Sequence, residues 1–204
     1  KASLRAHDLA ARTYNYAHET GAWMPLAADS REHAAVQGQI EALNAAIGRV
    51  VNVGLLAADV RLPATAALEP GAAYELAVQI GQPADWSLAR EPKPIPEGEL
   101  VHLYSDDGVE LSVMVFAPAF EIKVTEHRLM LPRPPRGSPE LRVALRAPAQ
   151  AGRHRIRVAI YHRNNLLQSV LMSAVVRAGE ERPSNQANIQ AEVEFALSQT
   201  LTDP

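Results

Sequence analysis

The sequence predicts a mainly β protein, an antiparallel sandwich preceded by a helical segment. Three observations predict it. Apolar and polar residues alternate with a period of two through most of residues 50–176, as in strands that bury one face. Turn residues interrupt these runs about every 8–15 positions. Helical periodicity is confined to the first 48 residues. About eight or nine short strands with such spacing point to an Ig-like sandwich with Greek-key connections, a closed barrel being the alternative.

Residues 1–20 are rich in Ala and Leu and predict a short helix. Asp29 or Ser30 can cap a second helix over residues 31–47, where Val36, Ile40, Leu43 and Ile47 make one apolar stripe. After Arg49 the period changes. Val50, Val51 and Val53 are β-branched and favour a strand. Pro70-Gly71 is a turn signal, and Tyr74, Leu76, Val78 and Ile80 alternate with polar or small neighbours in the next strand. Residues 81–98 contain four prolines and read as a stiff, extended loop carrying Trp86. Leu100–Tyr104 and Val109–Phe116 flank Asp106-Asp107-Gly108 and predict a hairpin. Strands follow at Phe120–Val124, Leu129–Leu131 and Leu141–Leu145.

The clearest stretch is Arg153–Val176, two strands joined at Asn164-Asn165. In the first arm Ile156, Val158 and Ile160 face one way, Arg155, Arg157 and Tyr161 the other. Asn tolerates the left-handed backbone of tight turns. The second arm is apolar on both faces and predicts a central strand. Ile189, Ala191, Val193, Phe195 and Leu197 give a last strand, an exposed edge if no sheet accepts it. The expected division is a helical segment over 1–48, a sandwich over 49–177, and a linker with a terminal strand over 178–204 leading to a further domain.

The chain has 204 residues, 47% of them hydrophobic, and a net charge of −3. That balance gives no general attraction to nucleic acid or anionic membrane. There is no cysteine, which removes disulfides and thiolate metal sites and permits a reducing cytoplasm, the expected location. No apolar run approaches the roughly 20 residues that span a bilayer. Charge is segregated: residues 1–124 hold 9 basic and 16 acidic side chains, 125–177 hold 10 and 2, and 178–204 hold 1 and 5.

No catalytic signature is present. The seven histidines lack zinc-motif spacing, and His154 and His162 on one strand face would stand about 26 Å apart. There is no Gly-x-Ser-x-Gly and no glycine-rich phosphate loop. An enzyme reading would need Asp106 or Asp107 to meet a histidine from another strand, whereas an Asp-Asp-Gly hairpin tip is ordinary. Neither a metal nor a cofactor is expected.

The arginines are the most suggestive feature. Arg142, Arg146, Arg153, Arg155 and Arg157 sit on the polar faces of two successive strands. If those strands pair, the guanidiniums form a basic stripe able to hold phosphates or carboxylates. The expected partner is a protein, a neighbouring domain or a second copy of the chain. Nucleic acid is disfavoured, because Tyr161 alone is placed to stack a base. The plain alternative is a solvated face, or one covered by Glu192 and Glu194. A second binding reading takes Trp86 and Tyr104 as an aromatic platform for a glycan or peptide.

Arg49–Val53, Leu68–Gly71 through Tyr74 to Gly81, and Tyr161–Ser169 together give a resemblance. The chain is similar over about residues 49–200 to uncharacterised β-sandwich modules of large bacterial proteins that carry CHAT-type or TIR effector domains. The resemblance implies a non-catalytic module that scaffolds or relays, while a neighbouring domain does the chemistry.

Overall fold

The computed structural model describes residues 48–177, 179 and 187–196. The two helices expected before residue 48 lie outside the described residues. Ten strands form two antiparallel five-stranded sheets. The first sheet contains β1 (Val50–Ala57), β2 (Val60–Arg61), β3 (Ala73–Gly81), β5 (Glu121–Ile122) and β7 (Leu141–Arg146), in the order β2-β1-β3-β7-β5. The second contains β4 (Val109–Phe116), β6 (Glu126–Leu131), β8 (Gly152–His162), β9 (Asn165–Val176) and β10 (Ile189–Ala196), in the order β10-β9-β8-β4-β6.

The alternation in the sequence becomes burial. Val51, Val53, Leu76, Val78 and Val143 of the first sheet share one apolar cluster with Leu111, Val113, Ile156, Val158, Val170 and Met172 of the second. Each fully buried side chain of this size contributes about 1.5–3 kcal/mol of transfer free energy. β9 lies between β8 and β10, as its two apolar faces predict. Leu171 is only half-buried, because it faces outward, away from that cluster.

Three local expectations are corrected. Leu100–Tyr104 is not a strand. A helical turn, α1 (Glu97–Leu100), runs into a 3-10 turn over Val101–Leu103. Leu100 and Tyr104 are buried and Leu103 packs against the core, while Val101 is 64% exposed. That is helical i, i+3, i+4 spacing. The Asp106-Asp107-Gly108 turn therefore joins a helix to β4 instead of closing a hairpin. The β8–β9 turn consists of Arg163 and Asn164, because His162 pairs with Asn165. The strand expected over Phe120–Val124 shrinks to the two residues of β5.

The proline-rich loop stitches the sheets together. Asn52 donates to the Gln82 carbonyl at 2.9 Å and accepts from the Ala84 N–H at 3.1 Å. Leu88 N–H donates to Val53 O at 2.8 Å. Arg90 N–H donates to Ala191 O, and Ala191 N–H to Leu88 O, both at 3.1 Å. The segment thus bonds β1 with one part and β10 with another. Ala64 O accepts from the N–H groups of Asn188 and Ile189 at 2.8 Å. The last strand is accepted by the second sheet, and these contacts occupy much of its outer edge. Everything described belongs to one compact unit, Glu41–Pro204. Among the described residues no helix is long and apolar enough to cross a membrane.

Candidate partner-docking face

The five arginines are not one stripe. Arg142 and Arg146 lie on β7, which pairs with β3 and β5. Arg153, Arg155 and Arg157 lie on β8, which pairs with β4 and β9. The condition that these consecutive strands pair is not met. The segment between them carries the chain from one sheet to the other, and Ala147 N–H donates to Ala72 O on the way, at 2.9 Å. Period-two alternation is the same whether a turn closes a hairpin or crosses between sheets.

Two of the five, Arg142 and Arg157, are already neutralised by close carboxylates, and Arg146 has a longer contact. Arg142 bonds Asp59, Glu75 at 3.3 Å and Glu140 at 2.9 Å, and Glu140 also takes Arg61. The hydrogen bond it donates to Glu140, then that to Asp59, holds the Arg142 guanidinium above its ordinary value. Partial burial pushes the Glu140 carboxyl up, but hydrogen bonds from Arg142 and Arg61 outweigh it and hold that group below the usual range. Arg146 donates to Gly71 O at 2.9 Å and lies 3.6 Å from Glu121. Arg157 meets Glu194 at 2.9 Å, so the acidic last strand covers part of this face.

Arg153 and Arg155 differ. Among the described residues Arg153 donates only to the neutral Ser173 hydroxyl, at 3.1 Å. Arg155 is exposed and has no ion pair among the described residues. The pleat sets them two residues apart on the outward side of the second sheet. A cross-strand row of Phe116, Arg157, Leu171 and Glu192 borders them. Phe116 is 44% exposed. The next row runs Met114, Ala159, Ser169 and Phe195. Unneutralised cations beside half-exposed apolar groups suit a ligand that is both acidic and apolar.

The two aromatics of the platform reading have other partners. Trp86 is half-buried against β1, where a side chain at Gly54 would approach its ring to 3.1 Å. The Arg61 guanidinium lies over the ring, 3.8 Å from its centroid. A sugar would have to displace that cation to stack there. Tyr104 is buried and hydrogen-bonded to Arg49, and its hydroxyl donates to Glu97 at 3.2 Å.

Sequence reasoning missed Arg49. It is 2% exposed and forms a two-pronged pair with Glu97, one prong at 2.7 Å. It also donates to the carbonyls of Pro132 and Arg136, both at 2.6 Å. Burial works against its charge, but the hydrogen bond and attraction from Glu97 prevail, so the guanidinium is held above its ordinary value. Burial first, then the Glu97 charge, pushes the Tyr104 phenol up to about 12. The network joins residues 48 and 55 positions apart from Arg49, so no local spacing signals it. It ties β1, α1 and the loop after β6 together.

Among the described residues no group of three or more His, Asp or Glu side chains could hold a metal ion. Asp106 and Asp107 are exposed at their turn. No protein-family model matches the chain, and no curated protein matches it.

Proposed function

We propose that this chain is a non-catalytic interaction module, an Ig-like Greek-key sandwich that docks an acidic, partly apolar segment of a partner protein or neighbouring domain. The sandwich reading rests on two antiparallel sheets whose inward residues share one core. The observation that carries the docking reading is the contrast among the five arginines: among the described residues Arg142, Arg146 and Arg157 have carboxylate partners, and Arg153 and Arg155 have none. The resemblance to bacterial scaffold modules beside effector domains agrees with this assignment. The basic face of β8 is favoured over the edge of β10, where the N–H and C=O of Ala191 are both already bonded to the 81–98 loop.

Peptides selected from a random display library on the folded chain test the reading. The expected outcome is enrichment of acidic sequences with an apolar anchor, whose binding weakens with salt and disappears in Arg153→Glu/Arg155→Glu. Selected peptides without acidic bias, or acidic peptides that bind the double variant equally well, would refute it.

A further inference from the structure

Four strands end the two sheets. β2 and β5 have two residues each. β10 is bonded on the outer side of its first half, through Ile189 and Ala191. β6, with six residues, is the long edge that no described segment covers. It contains no proline and no register shift, two of the devices that blunt an edge.

The direction of its open groups is set by one hydrogen bond. Val115 N–H donates to Thr125 O at 2.8 Å. The ladder continues from there through Val113↔His127 and Leu111↔Leu129. Hydrogen-bonded pairs recur at every second residue, so His127 and Leu129 turn their backbone groups toward β4. Glu126, Arg128 and Met130 turn theirs outward. The same three side chains stand exposed on the outer face, while Leu129 and Leu131 enter the core.

We infer that β6 is a self-association edge, joining antiparallel to β6 of a second copy about a two-fold axis at His127. Charge complementarity selects that register. With the axis at His127, Glu126 faces Arg128 of the second copy, and Arg128 faces its Glu126. Met130, 38% exposed, then lies opposite Val124 of the second copy, 54% exposed. Moving the axis one residue either way sets Glu126 against Glu126 or Arg128 against Arg128. Arg128 is free to turn to a new partner: its contact with Glu110 is long, at 3.6 Å, and the two side chains are 81% and 53% exposed. The two Glu126–Arg128 pairs would exchange about four backbone hydrogen bonds. The joined surface is small, which makes this a weak, concentration-dependent dimer. This inference goes beyond the docking proposal, because it uses the backbone edge of β6 and not the outer face of β8.

Sedimentation equilibrium of the full chain over a concentration series tests it. The expected result is a reversible monomer–dimer equilibrium. Arg128→Glu alone leaves two carboxylates on the edge, and Glu126→Arg alone leaves two guanidiniums. Each raises the dissociation constant by about tenfold or more. An equimolar mixture of the two single variants regains dimer, and so does the double swap Glu126→Arg/Arg128→Glu. Unchanged melting temperatures confirm that these exposed positions leave the fold intact. A wild-type chain that stays monomeric throughout would overturn the inference. So would a dimer indifferent to the single reversals, or a swap and mixture that fail to restore it.

Discussion

Arg49 and Glu97 form a two-pronged ion pair across 48 positions of sequence, with side chains 2% and 23% exposed. The pair fastens α1 to the start of β1. Removing Glu97 leaves the Arg49 charge without its counter-ion in a place water hardly reaches, and removing Arg49 leaves a partly buried carboxylate unpaired. Glu97→Ala should lower stability by about 3 kcal/mol in urea unfolding, and Arg49→Met by a similar amount. The double variant Arg49→Met/Glu97→Leu should lose clearly less than the two single losses added together. Additive losses would mean that the two side chains act independently.

Tyr104 makes the same network sensitive to alkali. Its phenol is raised from 10.0 to about 12 in the folded chain, so the unfolded state releases this proton first as pH rises. Stability from this group is complete below pH 10 and falls between about pH 10 and 12. Two pH units correspond to roughly 3 kcal/mol over the whole window. Thermal unfolding across that range should show a steep loss in the wild-type chain and a shallower one in Tyr104→Phe. Equal slopes would place the alkaline sensitivity elsewhere.

Gly108 has φ +124°, and a Cβ there would stand 2.5 Å from Leu131 O. Both the backbone conformation and the backbone neighbour forbid a side chain. Gly71 has φ +70° with open space around it. Gly71→Ala should therefore cost only the left-handed penalty, about 1 kcal/mol. Gly108→Ala should cost more, about 2–4 kcal/mol, because the turn must move off β6. Denaturation midpoints of the two variants make the comparison.

The β1–β2 hairpin offers a gain. Its two loop residues, Ala58 and Asp59, have φ of 46° and 66°. Positive φ at both centres is the type I′ arrangement that favours Asn and Gly. Ala58→Asn should stabilise the fold by about 0.5–1 kcal/mol. Asp59→Gly should gain less, since Asp59 also bonds Arg142. A lower melting temperature for Ala58→Asn would contradict this account of the turn.

The strand content of the fold was legible because burial of one face imposes a period of two on the residues themselves. Val158 and Arg157 declare their opposite sides without reference to any other segment. Leu100–Tyr104 misled because a short apolar run has no length over which period two and period 3.6 can be told apart. The site was half legible. The segregation of charge was in the sequence. The neutralisation of Arg142 by Asp59 and Glu75 was not, since those two groups come from segments 83 and 67 positions away.

By itself the sequence determined which residues face the core, where the chain turns and which side chains carry the basic charge. These properties depend on local backbone geometry and composition. Only the tertiary structure decided that β7 and β8 belong to different sheets, that Arg49 is buried against Glu97, that among the described residues Arg153 and Arg155 lack carboxylate partners, and that no described segment covers the edge of β6. Those outcomes depend on which distant segments meet, and alternation along a strand is the same for every possible neighbour.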